Sequence, residues 1–184
     1  IFLMDLSFSE LKDLVFNASM GSNLPAGVCE DLSFGVTFLE SRSLPGGKEL
    51  LYSLNCERHP PVSPQKNGES LIFSNSRAIF EGLSAIDLLV SEACKSVILE
   101  NIDSSMLLVG LASNYYGFSF SFHKNKENCA ALFNDQLNWE NDNYRRSNDI
   151  EIRLNNSEFN NPIAKSSRIL LDDSVFKELS NLAS

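Results

Sequence analysis

Apolar residues along the first third of the chain recur at helical spacing. Leu11, Leu14, Val15 and Ala18 fall at i, i+3, i+4 and i+7 and define one helix face. Ser7 and Glu10 open that helix as a capping box, in which each side chain accepts from the other residue's amide. Leu6 and Leu11 flank the box as a hydrophobic staple, and Gly21 offers a left-handed stop. Pro25 suits the first turn of a second helix, where its missing amide would have had no partner. Val28, Cys29, Leu32, Val36 and Leu39 form that helix's stripe. Leu44-Pro45-Gly46-Gly47 ends it, and residues 48–54 read as a short third helix.

The period then changes. Residues 56–70 hold Pro60, Pro61, Pro64 and Gly68 among polar neighbours and read as a connector. Ser84 to Asp87 resembles a capped helix start, with Ile86, Leu89, Val90 and Ala93 as its face. Val97-Ile98-Leu99 predicts a strand, and residues 104–116 a helix capped by Asp103-Ser104. Phe118, Phe120 and Phe122 alternate with serines, which predicts a strand with one apolar face packed in the core. Residues 124–147 are polar and rich in Asn, with Trp139 and Tyr144 as isolated anchors, and part of the stretch reads as a long loop. Strands follow at residues 149–154 and 168–171, then a last helix capped by Asp172 or Asp173, with Val175, Phe176 and Leu179 inward.

Helices first, then strands interleaved with helices, predict an α+β fold: an N-terminal helical layer packed on a mixed β-sheet with interleaved helices. Residues 1–184 are expected to form a single domain. It divides into a helical subregion at 5–55, the connector at 56–70 and a mixed α/β subregion at 71–184.

Composition narrows the chemistry. The chain has 184 residues, 43% hydrophobic and 21% charged, enough to bury a core without staples. Fifteen Lys and Arg against 24 Asp and Glu leave a formal charge of −9, which argues against nucleic acid and anionic membrane as partners. No apolar run approaches the roughly 18–20 residues of a membrane span. Ile1-Phe2-Leu3 is too short for a secretory leader, and the four cysteines form no C-x-x-C. Free thiols and a cytoplasmic location are the expectation.

Two histidines exclude a three-His zinc site within the chain. Cys56-x-x-His59 with His123-x₅-Cys129 would supply a Cys₂His₂ set, but the second spacing does not match the first. A Cys129–His123 nucleophilic pair has no local signature. Pro45-Gly46-Gly47-Lys48-Glu49 fails as a phosphate loop: Arg42 stands where the first glycine belongs, and Glu49 where Ser or Thr should follow. No metal and no cofactor is expected.

The chain resembles the DUF3726 family, uncharacterised bacterial proteins. The resemblance rests on Leu6-Ser7-x-x-Glu10, on Gly21-x-x-Leu24-Pro25-x-Gly27-Val28-x-Glu30-Asp31, and on Leu39 followed by Leu44-Pro45-Gly46. It extends in pattern to residues 85–93 and 175–183. Asn23 and Ser33 stand where that family tends to have glycine, and Ala26 where it has tryptophan. The resemblance supplies a family and no activity.

Among polar residues, Glu30 and Asp31 stand out, beside the Gly21–Asn23 turn. The structural reading places them in early helical turns, where acids favour the helix dipole. They also project about 100° apart, against sharing one pocket squarely. The functional reading makes them, with His123, a base or ligand set. An anion at the turn is disfavoured because Pro25 removes an amide and the acids repel it. Asp172-Asp173 reads as capping, and Arg145-Arg146 beside Tyr144 as a solvated loop. Tyr115, Tyr116 and Trp139 are candidate pocket walls. The expected function is a cytosolic binding or accessory subunit that self-associates. The alternative is a metabolic enzyme or small-molecule binder using Glu30, Asp31 and His123.

Overall fold

Strand β1 (Leu3–Leu6) leads into helices α1 (Phe8–Gly21), α2 (Ala26–Glu40) and α3 (Gly46–Asn55). Strands β2 (Gln65–Asn67) and β3 (Ser70–Phe73) follow, then a π-helical turn (Ala78–Gly82) running into α4 (Leu83–Val90). Next come β4 (Ser96–Glu100), α5 (Ser105–Ala112), β5 (Ser119–Lys124), β6 (Glu127–Phe133), β7 (Gln136–Trp139) and β8 (Asp149–Leu154). The chain closes with β9 (Ile169–Asp172) and α6 (Asp173–Leu182). This is a computed structural model, and it describes residues 2–57, 63–139, 149–154 and 162–184. His59, Tyr144, Arg145 and Arg146 lie outside the described residues.

The architecture is α+β, as expected. Seven strands form one sheet in the order β2-β3-β4-β8-β5-β6-β7, with β3 and β4 parallel and the other neighbours antiparallel. The π-helical turn and α4 make the crossover that the parallel pair requires. β1 and β9 pair separately as a two-stranded antiparallel ribbon.

Register explains the core. Val97 and Phe122 both oppose Ile152, and Leu99 opposes Ile150, so these buried side chains share one face of the sheet. α5 is apolar on all sides, and every residue of it is buried. A helix of that kind belongs inside. α5 also packs on α2, and the crossing is glycine on glycine. A Cβ on Gly35 would lie 2.8 Å from the carbonyl carbon of Gly110, and one on Gly110 would lie 2.8 Å from the Gly35 oxygen.

The capping box forms: Ser7 N donates to Glu10 Oε2 at 2.7 Å, and Glu10 N donates to Ser7 Oγ at 3.2 Å. Ser104 caps α5 and Asp172 caps α6, each accepting an amide from the first turn.

Other expectations are corrected. Gly21 remains helical, and Asn23 takes the left-handed conformation (φ 60°). Gly21 is required for another reason: a Cβ there would meet the Leu182 carbonyl oxygen of α6 at 1.7 Å. The connector contains β2 and the turn at Gly68 (φ 61°) that pairs it with β3. The fourth helix starts at Leu83, one residue ahead of Ser84, but Ser84 does not cap it: α4 runs on from the π-helical turn, at whose head Glu81 Oε2 accepts the Arg77 amide at 3.0 Å. Residues 124–139 are not loop but two hairpins. Their turns are Asn125-Lys126 (φ 51° and 70°) and Asn134-Asp135 (Asn134 φ 51°), where Asn supplies the left-handed backbone that two-residue turns need. Ser121 is buried along with its phenylalanine neighbours, so β5 is covered on both faces. Among the described residues, no helix is long and apolar enough to cross a membrane.

Candidate functional site

Two stripes run along α2. Cys29, Leu32, Gly35, Val36 and Leu39 face the core. A second stripe, spaced at i+3 and i+4, carries Glu30, Asp31, Phe34, Thr37 and Phe38, and with Ser41 and Arg42 just past the helix it forms the floor of a cavity of about 510 Å³. That volume lies within the range of small-molecule sites. Phe8 and Lys12 of α1 make one wall. Asn114, just past α5, and Asp135, in the β6–β7 turn, make the other, and Lys165 adds a further cation. From Glu30 to Phe38 the helical part of the floor spans roughly 12 Å.

Charge is segregated along it. The carboxylates of Glu30 and Asp31 occupy one end. The Asn114 side-chain amide donates to the Asp31 carbonyl at 3.0 Å and to its carboxylate at 3.4 Å. Burial pushes the Asp31 carboxyl above its ordinary value; Asn114 opposes the shift, and Asp87 and Glu30 add to it. Midway, the Lys12 ammonium sits 3.8 Å from the centre of the Phe34 ring.

At the far end the Arg42 guanidinium is 1% exposed and lies 3.7 Å from the Phe38 ring centre. It donates to Ser41 Oγ at 2.9 Å, to the Phe38 carbonyl at 3.0 Å and to Asp135 Oδ1 at 2.8 Å. It also donates to the Asp135 backbone carbonyl. Lys165 reaches the same Asp135 carboxylate at 3.5 Å. Desolvation opposes ionisation of Asp135, but Arg42 and Lys165 outweigh it and hold the carboxyl below the ordinary carboxylate range. Two buried polar atoms of this floor have no hydrogen-bond partner, Thr37 Oγ1 and Arg42 Nε. Buried polar atoms are nearly always satisfied, so an orphan pair in one cavity points to something that completes it.

Asp31 also borders a second cavity, of about 540 Å³, with Asp87, Phe73 and Tyr115. There the Tyr115 hydroxyl donates to Asp87 Oδ1 at 2.5 Å, and burial, with the Asp87 bond, pushes the phenol upward. Asp31 is the partition between the two cavities.

Several sequence expectations change here. Glu30 and Asp31 line one cavity despite their angular separation, because its floor is broad enough to take both. Neither stands in the first turn of α2, so the helix-dipole account does not explain them. His123 does not join them. It lies on β5 opposite Glu151, with Nε2 3.0 Å from Ser121 Oγ, and lines neither cavity. Burial and then Arg153 lower the His123 pKa, with Glu151 opposing. The Gly21–Asn23 turn offers no free amides, since Ser22, Asn23 and Leu24 donate to carbonyls at the end of α1. The loop resembling a phosphate site is filled from within: Gly47 N donates to Glu40 Oε1 at 2.8 Å. Tyr116 is 80% exposed and lines neither cavity, while Tyr115 lines the second. Among the described residues, no group of three or more His, Cys, Asp or Glu could hold a metal ion.

Lys12, Thr37, Arg42, Asn114, Asp135 and Lys165 were not legible as site residues, because they come from separate parts of the chain. One signal was present. Phe34 and Phe38 lie off the core stripe of α2, a surplus of aromatics that the apolar period does not use.

The chain covers part of several solved structures at low similarity. One is a sulfolactate dehydrogenase from Methanocaldococcus jannaschii (14% identity, 65% of this chain and 40% of that one, TM-score 0.48). Others are malate dehydrogenases, from Entamoeba histolytica (9% identity, 65% and 38%, TM-score 0.47) and from Pyrococcus horikoshii OT3 (11% identity, 65% and 40%, TM-score 0.48). The chain spans about two fifths of the length of these structures, and likeness at this level bears on neither fold nor chemistry. No curated protein matches the chain. The capping box, the Gly21–Asp31 segment and the Leu44-Pro45-Gly46 turn all fall within residues 6–74, which match the family described as Protein of unknown function (DUF3726).

Proposed function

We propose that the protein is a binding or accessory subunit, and that its binding site is the groove along α2. The observation that carries the reading is Thr37, a residue 5% exposed whose buried hydroxyl has no partner, in the lining of a 510 Å³ cavity walled by aromatic rings and charges. Glu30 and Asp31 act in this reading as ligand-binding groups. Separation of His123 from both acids supports binding over acid–base catalysis. The reading includes a single domain and a cytoplasmic location, which four free cysteines support. It also includes self-association over the β1–β9 ribbon, where Leu3 and Leu170 are 51% and 59% exposed. The charge of −9 speaks against nucleic acid as the partner.

A thermal-shift screen against metabolites and divalent metals, followed by NMR mapping of each hit, tests the site, because a ligand of the folded state raises its stability. Hits should perturb Phe34, Thr37 and Phe38. Hits that perturb only other surfaces, or turnover of a hit that Glu30→Gln or Asp31→Asn abolishes, would overturn the reading. A clean monomer of 20.5 kDa at high concentration would remove self-association from it.

A further inference from the structure

We propose that the second cavity, bordered by α2, the π-helical turn, α4 and Tyr115, binds an organic ammonium ion, its charged head taken by carboxylates and its hydrocarbon body laid on aromatic rings. The site shares only Asp31 with the α2 groove, and the inference does not depend on the groove being occupied.

Charge is the first observation. Three carboxylates line this cavity, Asp31 from α2, Glu81 from the π-helical turn and Asp87 from α4, and no Lys, Arg or His lines it. None of the three has an ion-pair partner among the described residues. Asp31 and Asp87 are held by neutral donors instead, the Asn114 amide and the Tyr115 hydroxyl. Such donors fix the position of a carboxylate and leave its charge in place. Burial comes first in raising the Asp31 carboxyl and the Tyr115 phenol, and Asp87 adds to both.

Glu81 is the second observation. The residue is 4% exposed. Its Oε2 accepts the Arg77 amide at 3.0 Å, and its Oε1 has no partner among the described residues. Arg77, the base closest to it in sequence, gives its guanidinium to the carbonyls of Ser53 and Glu57 and lies beside Asp103. A buried charge without a counter-charge is costly, so a carboxylate kept in this wall calls for a cation. The π-helical turn keeps it there. Such turns are rare and concentrate at functional sites, and this one sets Phe80 and Glu81 side by side on the cavity wall.

The third observation selects the kind of cation. Phe73, Phe80 and Tyr115 line the same cavity, and aromatic faces attract an alkylammonium while sheltering its carbon skeleton. Among the described residues no group of three acids is placed to hold a metal ion, so these carboxylates share the cavity without converging on one point. Its volume of about 540 Å³ suits a small organic molecule and far exceeds a bare ion.

NMR titration of the full chain with phenethylamine tests this, with phenethyl alcohol and hydrocinnamate as its neutral and anionic counterparts and magnesium as a bare cation. The amine should shift Phe80, Ser84 and Tyr115. The alcohol should bind at least about tenfold more weakly, the scale of one lost charge-assisted contact, and hydrocinnamate should not bind. Glu81→Gln and Asp87→Asn should each weaken the amine and leave the alcohol unchanged. Asp87 is exposed and Asn still offers Tyr115 an acceptor, so the second variant tests the site even if the first does not fold. Equal affinity for amine and alcohol would overturn the proposal, as would absence of amine binding or the same shifts with magnesium alone. Shifts confined to Phe34 and Phe38 would overturn it too, while leaving the α2 groove standing as a binding site.

Discussion

Arg42 and Asp135 stand 93 residues apart and close one end of the groove together: the buried guanidinium, carried in the turn just past α2, donates to both a carboxylate oxygen and the backbone carbonyl of the β6–β7 turn. The pair is asymmetric. The Arg42 side chain is 1% exposed and that of Asp135 is 63% exposed.

The asymmetry sets the first prediction. Asp135→Ala strands a buried charge and should cost about 2–3 kcal/mol, less than a fully buried pair because water and the carbonyl still reach Arg42. Adding Arg42→Met removes the stranded charge and should recover part of that loss. Urea unfolding of the two single variants and the double variant gives the coupling. A double variant less stable than Asp135→Ala by the full cost of Arg42→Met alone would show that the two residues act independently.

The Gly35–Gly110 crossing gives the second. Alanine in a helix gains about 1 kcal/mol over glycine. At Gly110 the new Cβ would lie 2.8 Å from both the Gly35 oxygen and Leu39 Cδ1, and the backbone atom cannot move away without shifting a helix. Gly110→Ala and Gly35→Ala should each lose about 1–3 kcal/mol net. Gly27, in the first turn of α2, has nothing within 4 Å of the place a Cβ would take, so Gly27→Ala should gain about 0.5–1 kcal/mol. Chemical denaturation of the three variants tests the contrast, and equal effects at all three sites would exclude the steric account.

The third concerns pH. Glu40 is pushed from the ordinary 4.5 up to about 7, chiefly by burial, with the Gly47 amide and Lys48 opposing. The folded chain therefore keeps a proton that the unfolded chain releases first. Below about pH 4.5 both states are protonated and Glu40 carries no penalty. The penalty grows as pH rises and is complete above about 7, where it amounts to at most about 3 kcal/mol. Glu40→Gln should raise the melting temperature at pH 8 and leave it nearly unchanged at pH 4. An equal gain at both values would rule out titration of Glu40 as the cause.

Local chemistry made much of the fold legible. The Ser7–Glu10 box and the Ser104 cap are decided within a few residues and stand where their sequence predicts, while Pro25 stands one place ahead of the predicted first turn, as the N-cap of α2. The β6 and β7 hairpins were hidden because their signal is turn chemistry at Asn125 and Asn134, which polar composition masks as loop. β1 was hidden because its partner, β9, lies more than 160 residues away. The groove follows the same rule. Glu30 and Asp31 were visible as a pair, but Asn114, Asp135 and Lys165 reach them only through the tertiary packing of α2 on α5 and the sheet.

Thr37 gives the last prediction. A buried hydroxyl without a partner bears a desolvation cost that a methyl of the same shape does not. Thr37→Val should therefore stabilise the free protein by about 1 kcal/mol, against the usual direction of a threonine-to-valine change at a satisfied site. The same substitution removes a polar group from the middle of the groove, so it should weaken whatever binds there. Melting temperature and ligand affinity, measured on one preparation, should move in opposite directions. A destabilised Thr37→Val variant would mean that the hydroxyl is satisfied in the free protein, and the orphan that carries the binding reading would be gone.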